Sequence, residues 1–171
     1  MAKKCDNKSV AVVVRRGQDI LMIERKKYNF GFALPAGHQD GDDPETTAKK
    51  ELFEEVGLIA NAIVKKLNTR LPNPCKRDGG VYHDWTVFEA TKWSGDVKLS
   101  ADETKSYIWT DKAMVAQIIK RLEDFLLSAH ILLTAENLPE IVKKTNEDEE
   151  WKESPGLEPP MYFLFKELKL I

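Results

Sequence analysis

The chain has 171 residues, 42% of them hydrophobic, and a formal net charge of −2. That content is enough to bury a core, which excludes disorder throughout. The charge balance excludes broad nucleic-acid binding, which needs clustered positive charge. One domain over residues 1–171 is expected, with the portion 110–171 mostly helical.

Residues 9–15 are apolar and β-branched, Gly17 marks a turn, and residues 20–24 form a second strand, so the pair reads as a hairpin. Residues 26–32 are a basic, aromatic loop leading to a short extended piece through Leu34. Residues 37–43 are rich in Gly and Asp and read as a loop. Asp43 then fits an N-cap and Pro44 a first helical position, so a helix is expected to run to Val56 and stop at Gly57. Residues 58–67 return as a strand, 71–80 form a long loop, and 81–93 form a long strand containing Tyr82, Trp85 and Phe88. After a turn at 94–96, residues 106–109 read as a last short strand. Asp111 caps a helix whose apolar spacing continues from Met114 to Leu133. Residues 136–160 are mostly polar, and 161–171 are amphipathic and expected to dock back as a helix. Strands interrupted by one helix and followed by helices indicate an α/β fold, layered, with a mixed sheet.

Cys5 and Cys75 show neither metal-ligand spacing nor a disulfide framework, and are expected to be free thiols in a reducing compartment, Cys5 in a floppy terminus. The first residues lack the apolar run of a signal peptide, and no apolar stretch reaches the length of a membrane span. A soluble, cytoplasmic protein is expected, with no membrane partner.

The chemistry concentrates on the expected helix. At roughly 100° per residue, Glu51, Glu54 and Glu55 fall within an arc of about 100°, while Ala48, Leu52, Phe53 and Val56 form a face that can pack inward. Carboxylates so close raise one another's pKa unless a positive charge sits among them, and a hard divalent cation suits oxygen ligands. Charge is also uneven along the chain. Residues 1–30 hold eight Lys/Arg against three acids, and residues 40–55 hold seven acids against two Lys. A basic wall facing an acidic pocket would suit a polyanion bridged to protein by cations.

The run Lys50-Glu51-Leu52-Phe53-Glu54-Glu55-Val56-Gly57-Leu58, opened by Gly37, resembles the signature of the Nudix hydrolase family. Lys50 stands where the family has Arg, and an Asp replaces its first Glu. The opening spacing is one residue short, so counting from Lys50 selects Asp42 and counting from Gly37 selects Asp43. The resemblance implies a Nudix fold: an α/β/α sandwich with a mixed sheet and, here, a helical C-terminal extension. It implies Mg²⁺ or Mn²⁺ as cofactor and hydrolysis of a phosphoanhydride in a nucleoside diphosphate derivative, a (deoxy)nucleoside triphosphate or an ADP-ribose-like molecule. Glu51, Glu54 and Glu55, with Gly37, would form the metal platform. Glu51, Glu54 and Glu103 would be catalytic, Arg25, Tyr28 and Gly37 would meet the substrate, and Lys50 would meet it or orient the adjacent glutamate.

In the family, a proline about sixteen positions past the signature accompanies ADP-ribose cleavage, and Pro74 lies sixteen beyond Leu58. Phe30, Tyr82 and Trp85 offer further stacking surfaces, each alone more often a packing residue. His38 and His83 read as structural hydrogen-bonding residues near the site walls. The alternative reading is a catalytically weak Nudix-fold module that senses a nucleotide. The C-terminal helices could shield one edge of the domain or form a homodimer surface.

Overall fold

Apolar residues fill both faces of β1 (Lys8–Arg16), as a strand between two layers requires. The computed structural model, which describes residues 3–171, shows what lies on each side. Val10, Val12 and Val14 point toward α1 (Pro44–Val56), packing with Ala48, Leu52 and Val56. Ala11 and Val13 point the other way, toward Val115, Ile119, Leu122 and Phe125 of α2 (Lys112–Ser128). The same alternation sends Leu21 and Ile23 of β2 (Asp19–Arg25) to the α1 side, and Ile20 and Met22 to the other. The result is an α/β/α sandwich.

β1 pairs antiparallel with β2 at the expected hairpin, and antiparallel with β4 (Ala36–His38). It runs parallel to β6 (His83–Ser94), which makes the sheet mixed. β5 (Ile59–Leu71) covers the far edge, β3 (Phe32–Ala33) follows β2, and β7 (Thr104–Thr110) also pairs with β2.

α1 has the ends expected of it. Asp43 accepts from the Thr46 N–H at 3.0 Å, Pro44 opens the helix, and Gly57 closes it at φ +73° with its N–H on Phe53 O at 2.9 Å. Phe53 departs from expectation: it is 58% exposed rather than packed inward. The inward face is already filled by Ala48, Leu52 and Val56, and the helix turns Phe53 away with Glu54.

The polar stretch after α2 holds more helix than expected. α3 (Leu138–Glu147) buries Leu138, Ile141, Val142 and Thr145, and the short α4 (Glu149–Glu153) buries Trp151. α5 (Pro159–Glu167) starts two residues before the expected docking helix and buries Met161, Leu164 and Phe165. These side chains join the core cluster beneath α2, so the C-terminal portion covers one whole face of the sheet. Between α4 and α5 the chain pairs with β3: Phe32 N–H donates to Gly156 O and Glu158 N–H to Phe32 O, both at 2.9 Å. Gly31 permits this approach, since a Cβ there would lie 2.7 Å from the Glu158 backbone. No helix among the described residues is long and apolar enough to cross a membrane.

Candidate active site

The C-terminal half of α1, the end of β2, β4 and the start of β7 meet in one cleft lined by Glu51, Glu55, Glu103, Arg25, Gly37 and Tyr28. A β-bulge between Glu24 and Arg25 brings Arg25 there. Bulges re-aim a side chain at the cost of one ladder step. Glu24 is held at Lys105 Nζ (2.9 Å) and Ser106 Oγ (2.8 Å), and Arg25 turns inward.

Arg25 joins three parts of the fold. Its Nη1 donates to Glu55 Oε1 and its Nε to Glu158 Oε2, both at 3.0 Å, with Nη2 3.4 Å from Ala36 O. Glu55 also accepts from the Ala36 N–H at 2.8 Å, which ties α1 to β4. Both acid side chains are 1% exposed. Burial opposes the Arg25 charge, and the flanking Glu158 and Glu55 more than offset this, raising its pKa above the ordinary value. Burial also pushes the Glu55 and Glu158 carboxyls up, against the pull of Arg25. The sequence offered Arg25 as a contact to the substrate. Its buried bonds to two carboxylates make it an organiser of the acids instead.

Lys50 does not take the orienting role that the resemblance implied. Its side chain is exposed and lies 4.0 Å from Asp42, away from Glu55. Asp43 is occupied as the helix cap. The two halves of the off-register loop thus separate: Asp42 faces Lys50, and Asp43 starts the helix.

Gly37 sits directly over Glu51, and a Cβ at that position would overlap the Glu51 carboxylate. Glycine there allows the acid to reach the cleft beneath the β4 backbone. Burial raises the Glu51 pKa to about 7, with further contributions from Glu55, Glu54 and Glu103, while Arg25 pulls the other way. Glu54 is exposed one turn along the same helix, and Glu103 is exposed where its carbonyl accepts from Lys26 N–H at 2.9 Å. This all-oxygen donor set with surplus negative charge, cradled against a glycine, fits a hard divalent cation.

The same cleft is lined by Lys27, Lys76, Arg77 and Tyr28. Of the basic amino-terminal segment, Arg25 and Lys27 thus share the cleft with the acidic helix. Arg77 is paired with Asp40, itself bound to Lys3 Nζ at 2.7 Å. Among the other aromatics, Trp85 is buried with its Nε1–H on Asn73 Oδ1 at 3.1 Å. Phe30 packs against the C-terminal helices, and Tyr82 lies beneath the Arg70 guanidinium at 4.1 Å.

Two residues expected to be independent of the site belong beside it. Cys5 is held by its N–H on Asp78 O at 2.9 Å rather than lying in a loose terminus. Its thiol meets His38, Cys75 and His83 at one point next to the cleft. Glu158 was also missed, because a lone acid before two prolines carries no sequence signal.

The acids supply a stability prediction. The folded pKa of Glu51, about 7, lies above the ordinary carboxyl value of 4.5. The fold therefore takes up a proton between those values, and this group's contribution to stability improves as pH falls from above 7 toward 4.5. In chelator-treated protein, Glu51→Gln should raise Tm above that of the parent most clearly at about pH 8, with the gap closing toward about pH 5. Thermal unfolding across that range checks this; a gap that widens at low pH contradicts it.

The description "NUDIX domain" fits a family model that matches residues 6–133, more than half of the chain. Among solved structures, a MutT NUDIX hydrolase from Burkholderia pseudomallei superposes with TM-score 0.55 at 21% identity, covering 63% of this chain and 84% of that one. A MutT protein from Bacillus halodurans gives 0.52 at 20% identity, covering 64% and 71%. The NUDIX domain of Shewanella oneidensis NrtR, solved with ADP ribose, gives 0.52 at 17%, covering 68% and 79%. These likenesses show a shared fold. No curated protein matches the chain. The resemblance read from residues 37–58, its fold and the expectation of a Nudix pyrophosphohydrolase are thereby borne out: the chain belongs to the NUDIX domain family.

Proposed function

We propose that the cleft binds a nucleoside diphosphate carrying a further group and hydrolyses its phosphoanhydride with Mg²⁺ or Mn²⁺. The observation that carries this reading is the presence in one cleft of Glu51, Glu55 and Glu103 together with Lys27 and Lys76. A diphosphate has the charge and reach to lie among those residues. A divalent cation, when bound, supplies positive charge to the pyrophosphate and acidifies water. The chain's own residues do the rest. Glu51 and Glu54 offer carboxylate oxygens on one helical face, and Glu51, its pKa near neutrality, is suited to accept a proton from the attacking water. Arg25 and the Ala36 N–H fix Glu55, so the acidic face does not rearrange as charge arrives. Tyr28 offers a ring at the margin for a base or ribose, and Pro74 lines the adjoining recess.

Among derivatives, an ADP-ribose-like molecule fits best. A recess lined by Gly37, Asn29, Asn73 and Pro74 adjoins the cleft and offers room for a further group on the diphosphate. The test is a panel of dNTPs, ADP-ribose, sugar nucleotides and dinucleoside polyphosphates, with Mg²⁺ or Mn²⁺ and product identification. ADP-ribose should yield AMP and ribose phosphate faster than any dNTP is consumed. Tight nucleotide binding with no product from any of them would favour the sensing module instead.

A further inference from the structure

Four ligand-bearing side chains from four separate places converge beside the cleft. Cys5 precedes β1, His38 ends β4, Cys75 lies in the β5–β6 loop and His83 opens β6. Their ligand atoms all lie within 4.8 Å of one another. His38 Nε2 is 3.3 Å from His83 Nε2, 3.5 Å from Cys5 Sγ and 3.2 Å from Cys75 Sγ, and Cys5 Sγ is 3.4 Å from His83 Nε2. Around a tetrahedral Zn²⁺ with ordinary Zn–N and Zn–S bonds, the edges would be about 3.3 Å between nitrogens and about 3.6 Å between nitrogen and sulfur. The four observed edges lie within about 0.4 Å of these values.

The surrounding hydrogen bonds orient lone pairs toward the centre. His83 Nδ1 lies 2.9 Å from the Asn73 carbonyl and 3.0 Å from the Asn73 amide nitrogen; in the tautomer that donates from Nδ1 to the carbonyl, Nε2 presents a bare lone pair to the cluster. Each sulfur accepts from the backbone N–H two residues further on, Asn7 to Cys5 at 3.4 Å and Arg77 to Cys75 at 3.3 Å. Gly80 closes over the group: a Cβ there would lie 2.8 Å from Cys5 Sγ and overlap Cys75 Cβ. Two thiol protons can bridge two of these contacts, whereas a cation at the centre would meet all four ligand atoms at once.

We propose that Cys5, His38, Cys75 and His83 form a closed tetrahedral Zn²⁺ site, separate from the carboxylate platform. Zn²⁺ replaces the two thiol protons, and the resulting Zn(Cys)₂(His)₂ unit is neutral overall, which suits a half-buried position. Imidazole and thiolate select zinc, whereas the oxygen-only set around Glu51 selects magnesium or manganese. All four positions are protein ligands, so the role is structural. The site rivets the amino-terminal segment and the loop bearing Lys76 and Arg77 to His38, the residue after Gly37. It thereby fixes one wall of the cleft.

The full chain, purified reduced and without chelator, should contain one zinc per chain by elemental analysis. After zinc removal and refilling with Co²⁺, it should show the intense visible bands of tetrahedral cobalt and a thiolate-to-cobalt charge-transfer band, neither displaced by excess Mg²⁺. Glu51→Gln should keep these bands, and Cys75→Ser should lose the charge transfer in part and His83→Gln the tetrahedral intensity. Because a ligand variant could fail to fold, thiol labelling of the parent protein gives a second readout: both cysteines should react slowly with zinc bound and rapidly after chelation. Absence of the bands from the parent protein, unchanged bands in Cys75→Ser, or a Cys5–Cys75 disulfide in the freshly isolated chain would overturn the proposal.

Discussion

Glu51→Gln is expected to lower turnover by about 10²–10⁴-fold, the usual range for loss of a positioned proton acceptor. The side chain keeps its size, so it still fits beneath Gly37, where no Cβ competes for the space. What is lost is one negative charge from the acidic cluster and the group best placed to accept a proton near neutral pH. Glu54→Gln should also reduce turnover sharply with the fold intact, because Glu54 is exposed and supports no core contact. The two differ in stability. Glu51→Gln relieves a part-buried charge repelled by Glu55, Glu54 and Glu103, so its Tm should rise in the metal-free protein as activity falls. Steady-state kinetics beside thermal unfolding separates these effects. Loss of activity accompanied by loss of fold would place Glu51 in the architecture instead of the chemistry.

Trp151→Ala is expected to cost about 3–5 kcal/mol, the range for deleting a large buried aromatic side chain. Trp151 is fully buried, its ring centroid 4.7 Å from that of Phe125, and its indole N–H donates to Phe30 O at 2.8 Å. It joins α4, α2 and the loop after β2. For a chain of this length that cost corresponds to a Tm lower by roughly 6–20 °C. Trp151→Phe keeps most of the apolar contact and should cost less, chiefly through the unpaired Phe30 carbonyl. The damage should reach the active site as well. The strand-like segment after α4 carries Glu158, which holds Arg25, which holds Glu55. Urea unfolding of both variants measures the cost, and a loss below about 1 kcal/mol for Trp151→Ala contradicts this description of the core.

How far the sequence disclosed these features depends on whether the causes were local. α1 was legible to the residue, because Asp43, Pro44 and Gly57 act within one turn of its ends. Which face of β1 meets α1 was not legible, since a strand apolar throughout gives no alternation by which to assign faces. α3 was within reach: Leu138, Ile141, Val142 and Thr145 have helical spacing, hidden by the polar residues between them. The inward turn of Arg25 depends on a bulge and on Glu158, which lies far along the chain. The signature suggested that Lys50 would steady the acids, and the fold gives this to Arg25 from a neighbouring strand. Cys5, His38, Cys75 and His83 lack any motif spacing because their proximity comes from β1 pairing with both β4 and β6.

The central claim is that the acids of α1 hold a divalent cation for phosphoanhydride cleavage. Titration of Mn²⁺ into zinc-replete protein, followed by the electron paramagnetic resonance signal of free Mn²⁺, tests it without requiring a known substrate. The parent protein should take up Mn²⁺ saturably, the combined Glu51→Gln and Glu54→Gln variant should lose that uptake, and Cys75→Ser should retain it. No uptake by the parent, or equal uptake by the glutamine variant, would contradict the account.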